Sequence, residues 1–302
     1  VNRERVHISL RRFKRGAMLK KLLGSGIGLF LGVIVRYRRK EVLETLRRCF
    51  PEKQEQDRVA IAAGMYRNFG LNIVEWLVMA CVKDVARFGR ENVETENIDG
   101  FRALIAENRG VIVLTAHVGN FMLLPVTSRY ADVSMYVITK KIRPAWLHNK
   151  WDAVFTKFGA KMLARRNSYR DCRAAMKNKS ALGFILDQNM KRKRGVFVDF
   201  FGVPACTSPG LAFLSADCQS PVIPAFTFRK PDGTHKVVFM QPIEPPPDRK
   251  PETILKATQH YTSIIEKMVR EHPDQWIWIH RRWRTRPEGE GLGVGSQHST
   301  NV

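Results

Sequence analysis

The sequence predicts an α/β fold, with a mixed central sheet flanked by helices and a helical segment ahead of it. Two observations carry this. Short apolar runs alternate with stretches of helical periodicity through most of the chain. Polar or basic residues also recur where those runs end: His117 after Val111–Leu114, Lys140-Lys141 after Val133–Thr139, Asp187-Gln188 after Ala181–Leu186. Open α/β sheets carry their chemistry outside the carboxyl ends of strands, so one active edge is expected.

The central stretch is Gly110–Pro125. Val111 to Leu114 reads as a short strand buried on both faces, delivering His117 through small residues at its carboxyl end. Val118–Leu124 can begin a helix, which would place the imidazole near backbone N–H groups able to stabilise negative charge. Taken alone, a histidine so placed is more often a satisfied core residue than a functional one.

Ahead of this stretch, Leu22–Val35 is apolar and glycine-rich between basic flanks that include Lys20, Lys21, Arg36, Arg38 and Arg39. A helix of that length spans roughly 20 Å, short of the ~30 Å hydrocarbon core, so a segment lying in the membrane interface fits better than a crossing. Helices are then expected at Glu41–Phe50 and Gln54–Val82. In the second, Ile61, Met65, Phe69, Ile73, Trp76 and Leu77 recur at core-facing spacing. Val93–Asp99 reads as a strand and Gly100–Asn108 as a helix. Beyond His117 come helices at Ala145–Phe158, Tyr169–Lys177 and Glu252–Arg270. Further strands are expected at Val196–Phe200, Pro221–Phe228 and Lys236–Met240, and Lys161–Arg166 as a connection. The division predicted is a membrane-associating segment at 1–40, one domain at 41–287 and a tail at 288–302.

The formal net charge of +23 calls for an anionic partner. No helix-turn-helix, zinc-finger or RNA-binding signature accompanies it, and the basic residues flank apolar and tryptophan-rich segments. A membrane surface or an acidic carrier is therefore favoured over nucleic acid. Five cysteines without C-x-x-C spacing suggest neither a disulfide framework nor a metal site, and point to a reducing compartment.

Five motifs together are more specific than any one alone: Gly110–Asn120; Asp187-Gln188; Gly195–Ala205 with Thr207 and Gly210; Val222-Ile-Pro224; and Gln275–Pro287. They resemble the bacterial lipid A biosynthesis (lauroyl and myristoyl) acyltransferases of the lysophospholipid acyltransferase superfamily, over roughly Arg36 to Pro287. The resemblance implies transfer of a fatty acyl group from an acyl carrier protein, or acyl-CoA, to a hydroxyl of an anionic glycolipid precursor. It further implies a peripheral location on the cytoplasmic face of the inner membrane and needs no cofactor or metal. His117 would be the general base.

In that family the histidine is followed, after four residues, by an acid that supports the imidazole. Here Met122 stands at that position. Methionine matches glutamate in length but carries no charge, so the chain is expected to be impaired. Three accounts stay open: a deliberate replacement, a natural non-catalytic lipid-binding homologue, or a branch in which another group supports His117. Asn120, Lys157, Arg166, Asp187, Gln188, Arg281 and Arg282 are the candidate substrate-binding positions, with Lys157, Arg166 or Arg281-Arg282 supplying a basic mouth. Asp187 would position a substrate or brace a loop. Lys191–Arg194 would be a solvated run or a docking patch.

Overall fold

The computed structural model describes residues 18–107, 109–140, 142–164 and 168–289. The basic residues before Met18, Arg165-Arg166 and the tail from 290 onward lie outside the described residues.

Among the described residues, nine strands and the helices between them confirm the α/β class. Seven strands form the central sheet: β1 (Val93–Glu96), β2 (Val111–Thr115), β3 (Met135–Thr139), β4 (Ala160–Ala164), β5 (Ala181–Ile185), β8 (Val222–Arg229) and β9 (His235–Phe239). Their spatial order is β1-β9-β8-β2-β5-β3-β4. Every pairing is parallel except the β8–β9 hairpin. Strand β2 is central and its five residues are all buried, as its unbroken apolar run requires. The stretch expected to be a connection after Phe158 is instead edge strand β4. It pairs with β3 throughout, a context its own mixed Ala-Lys-Met-Leu-Ala pattern does not announce. A separate hairpin, β6 (Val196–Phe200) and β7 (Val203–Thr207), lies against helix α10 (Pro251–Glu271).

Two apolar cores result, one on each face. On one, α8 (Ser168–Lys177), α9 (Gly210–Cys218) and α10 cover Ile112, Leu114, Leu182 and Phe226. On the other, α7 (Ala145–Lys157) and α5 (Ile98–Ala106) cover Val111, Val113, Ala181 and Ile223. The alternation along β2 assigns successive residues to opposite cores.

Ahead of the sheet, helix α1 (Met18–Ile34) is followed by α2 (Arg39–Cys49) at 91° and then by α3 (Glu55–Cys81). Helix α1 crosses α3 closely: a side chain at Gly28 would meet the Tyr66 carbonyl at 2.6 Å, and one at Gly70 the Gly24 carbonyl at 2.2 Å. Among the described residues no single helix is long and apolar enough to cross a membrane.

The apolar stripe expected on α3 is only half right. Ile61 and Met65 are buried, but Ile73 and Leu77 face outward, and Asn68, Asn72 and Glu75 turn inward instead. The carboxyl half of α3 lies over polar backbone at the carboxyl edge of the sheet, which apolar side chains could not satisfy. Arg229 at the end of β8 meets this polar face. Its Nη1 donates to Glu75, Nη2 to Asn72 Oδ1 at 2.7 Å and Nε to Asn68 Oδ1 at 3.1 Å. Burial alone would raise the Glu75 carboxyl; the neighbouring His235 ring and Arg229 guanidinium outweigh it and hold it down to about 2. His235 is itself kept below the usual histidine range by burial, which leaves Arg229 as the lasting counter-charge at neutral pH.

Glu75→Ala strands a buried guanidinium and should cost about 3–5 kcal/mol in denaturant unfolding. Because the Glu75 carboxyl titrates lower folded than unfolded, its contribution is complete above its ordinary 4.5 and should be lost as pH falls from there toward about 2. Acid melts of wild type and Glu75→Gln compared over that window measure it, and the variant should show the shallower decline.

Candidate active site

The pairing register of the two central strands builds the site. Thr115 of β2 lies opposite Ile185 of β5 in a parallel pair, so two residues further on His117 and Asp187 emerge side by side. The Asp187 carboxylate accepts from the His117 backbone N–H at 2.9 Å, from His117 Nδ1 at 2.8 Å and from Trp276 Nε1 at 2.7 Å. Burial opposes its charge, yet His117 and Trp276 keep the carboxyl far below the usual carboxylate range. An ionised Asp187 can only accept, so the imidazole proton sits on Nδ1 and Nε2 is left with a free lone pair. Burial disfavours the imidazolium, but the adjacent Asp187 charge outweighs it and raises His117 above its ordinary 6.5.

His117 thus has a carboxylate neighbour although Met122 stands at the position of the family acid. The acid comes from Asp187, 70 residues away in the chain. Met122, only 5 % exposed, packs in the apolar core with Leu123, Leu124 and Val126 and does not line the cavity beside His117. Of the three accounts, the one in which another group supports the imidazole fits this geometry.

The turn after His117 also differs from the expected helix start. Val118 bridges to Trp276, Gly119 takes a φ of +54°, and only a 3₁₀ turn, Phe121–Leu123, follows before α6 (Val126–Tyr130). A Cβ at Gly119 would stand 1.9 Å from the Thr227 carbonyl, so the turn is packed against β8. Gln275 O accepts from Gly119 N at 2.9 Å and Asn72 Nδ2 donates to Gly119 O at 2.7 Å, while Asn120 Nδ2 donates to Glu75 Oε2 at 2.7 Å. Asn120 thus faces the buried ion pair behind the turn, away from the cavity.

A cavity of about 490 Å³ opens along the carboxyl edge with His117 at its wall. Phe121 meets the imidazole edge-on at 4.8 Å, and Gln188 Nε2 approaches His117 Nε2 at 3.4 Å. Most of the lining is apolar; Lys140, Arg194, Asn189 and Ser208 are among its polar groups. Among the described residues the cations at this lining are Lys140 and Arg194, not Lys157 or Arg281-Arg282. Arg194 belongs to the basic run 191–194, whose Arg192 is engaged with Glu288 and the Arg286 carbonyl.

The other expected cations lie elsewhere. Lys157 Nζ donates to the Ala80 carbonyl at 3.1 Å and so caps the end of α3, where the helix dipole favours a cation. Arg166 falls outside the described residues. Arg281 is exposed and near Glu41 at 3.8 Å. Arg282 is 1 % exposed: Nη1 donates to the Cys206 carbonyl at 3.0 Å and Nη2 to the Thr207 hydroxyl, joining β7 to the carboxyl-terminal segment. Without a carboxylate of its own, burial pushes this guanidinium down to about 10. Trp276, Trp278 and Trp283 are buried against Phe50, Phe200 and Phe201, so packing accounts for them.

Known proteins are similar in kind. The family described as "Bacterial lipid A biosynthesis acyltransferase" matches residues 16–285. The chain is 29 % identical over 274 residues to the lipid A biosynthesis palmitoleoyltransferase of Escherichia coli (strain K12), covering 89 % of this chain and 86 % of that one. It is 27 % identical over 277 residues to the lauroyltransferase of the same organism, covering 88 % and 86 %. A solved structure of the 1-acyl-sn-glycerophosphate acyltransferase PlsC from Thermotoga maritima aligns at a TM-score of 0.41 and 14 % identity, over 86 % of this chain and 99 % of that one. With a family match that spans nearly the whole chain, including the His117 turn, Asp187-Gln188 and the 275–285 segment, this protein belongs to the bacterial lipid A biosynthesis acyltransferases.

Proposed function

We propose that this chain moves a fatty acyl group from a thioester, on acyl carrier protein or coenzyme A, to a hydroxyl of a lipid A-type glycolipid precursor, with His117 as general base. The observation that carries the reading is the buried Asp187 carboxylate fixing His117 with Nε2 unprotonated at the wall of a largely apolar cavity. The acceptor hydroxyl gives its proton to Nε2 as its oxygen bonds to the thioester carbonyl carbon. Asp187 stabilises the imidazolium that forms, and the imidazolium returns the proton to the departing thiolate as the tetrahedral intermediate collapses. Gln188, whose amide approaches Nε2 in the resting site, must yield that place to the hydroxyl.

The hydrocarbon needs an apolar cavity and the headgroup a wet, basic rim, a division that Lys140 and Arg194 at the lining support. Peripheral attachment to the cytoplasmic face of the inner membrane belongs to the same proposal. Leu22, 61 % exposed, with Leu19, Leu23, Phe30 and Ile34, leaves an apolar surface along α1. The basic flank after it suits anionic headgroups.

Acyl transfer assayed with an acyl carrier protein thioester and a lipid A precursor should fall by about 10⁴-fold in Asp187→Asn, the scale set by loss of the orienting carboxylate in a serine-protease triad. His117 must be neutral to act, so the rate should rise with pH through an apparent value above 6.5, and Asp187→Asn should move that limb downward. A rate independent of pH across this range would remove His117 from the base role.

Met122→Glu buries a carboxylate among apolar side chains and should lower the melting temperature with no gain in turnover. A stable variant with turnover raised by orders of magnitude would mean that residue 122, not Asp187, is the missing support.

The pair Leu22→Asp with Phe30→Asp, on exposed positions, should retain the fold while weakening binding to anionic vesicles at least tenfold in a flotation assay. Undiminished flotation would assign attachment to another surface.

A further inference from the structure

The cavity beside His117 has two apolar arms, one on each face of the sheet. Adjacent strand residues line it together, Val137 with Ile138 on β3 and Gly183 with Phe184 on β5, and adjacent strand residues point to opposite faces. Core membership agrees. Phe121, Leu124, Met135, Val137, Trp151 and Phe155 belong with the α7 core, whereas Ile138, Cys172, Phe184 and Leu214 belong with the α8–α9 core. The arms meet at the carboxyl edge, near Thr115, His117 and Ile185.

Depth along the α7-side arm can be read from the strand register. Gly183 pairs with Val113 and Val137, two residues below the edge pair Thr115–Ile185, and Met135 pairs with Ala181 two residues deeper. Each such step is about 7 Å along the strand. Gly183 interrupts an otherwise side-chain-bearing strand in the middle of this wall. A Cβ built on it meets only Val137 Cγ2 at 3.5 Å and the Tyr136 carbonyl at 3.7 Å, ordinary contacts that leave the side toward the cavity open. The backbone does not require glycine there, because Gly183 is not among the glycines of positive φ. What its missing side chain provides is space at one defined depth.

We propose that the acyl chain of the donor enters the α7-side arm, and that Gly183 determines how long a chain is accepted by leaving open the passage to Met135. The inference rests on the acyl-transfer reading above. The α7-side arm is chosen over the other because the side chains that line it, Phe121, Leu124, Met135, Val137, Trp151 and Phe155, are hydrocarbon, thioether or aromatic and bring no hydroxyl or charge into it. The rim of the opposite arm includes Tyr169 and Ser208.

Two measurements on Gly183→Ala and Gly183→Val test it, with Leu214→Phe in the opposite arm as the comparison. The first is the rate profile over acyl carrier protein thioesters from decanoyl to palmitoyl. The second, which needs no turnover, is the affinity for the free fatty acids of the same lengths by displacement of a fluorescent fatty acid. Each methylene denied a place should cost roughly fourfold. Gly183→Val should therefore lose palmitoyl transfer and palmitate binding by an order of magnitude or more while the decanoyl values stay within about twofold, with Gly183→Ala between. A profile unchanged or lowered equally at all lengths, in variants whose melting temperature is kept, would overturn the inference. So would a shift in donor length produced by Leu214→Phe and not by the Gly183 variants. If wild type binds fatty acids in the predicted order but transfers none from any thioester, the acyl-transfer reading fails while the arm stands.

Discussion

A single ionised carboxylate at the carboxyl edge of the sheet ties the site together. Asp187 takes hydrogen bonds from the backbone and ring of His117 on one side and from the indole of Trp276 on the other. Three donors converging on one buried group offset its desolvation, and in return they fix the end of β2, the end of β5 and the carboxyl-terminal segment relative to one another. The imidazole tautomer, the exposure of Nε2 and the course of the 275–277 segment all depend on that charge.

A second buried pair stands behind the first. Glu75 and Arg229 neutralise each other beneath the turn that carries His117, and Asn72 and Asn120 connect them to its backbone. A polar cluster inside a long helix is costly unless every member is satisfied. Here the satisfied groups include the carbonyl of Gly119, a residue whose positive φ and contact with Thr227 leave the turn little other freedom. The geometry around His117 is thus held from below by electrostatics and from the side by packing.

The tryptophans and Arg282 play a comparable structural part at the carboxyl-terminal end. Trp276 and Trp278 meet edge to face with centroids 4.5 Å apart, and Arg282 lies over Phe200 while bonding the end of β7. Basic and aromatic residues in this segment look like surface chemistry when written in a row. Their role in the fold is to close the core over the sheet and deliver the Trp276 indole to Asp187.

The sequence by itself determined the α/β class, most of the central strands and the long flanking helices, and His117 at the end of the central strand, but not β4, β7, α9 or the turn after His117. Those features follow from periodicity and apolar runs, which are local properties of the chain. It also carried the family motifs. What it could not assign was partnership. Whether Met122 or Asp187 supports His117 depends on β2 and β5 being neighbours in register, a pairing between segments 70 residues apart. The inward turn of Asn72 and Glu75, the capping role of Lys157 and the burial of Arg282 likewise depend on what each side chain meets across the fold. Residue type sets the chemistry a side chain offers; only tertiary packing sets whether it faces a cavity, a helix end or a buried opposite charge.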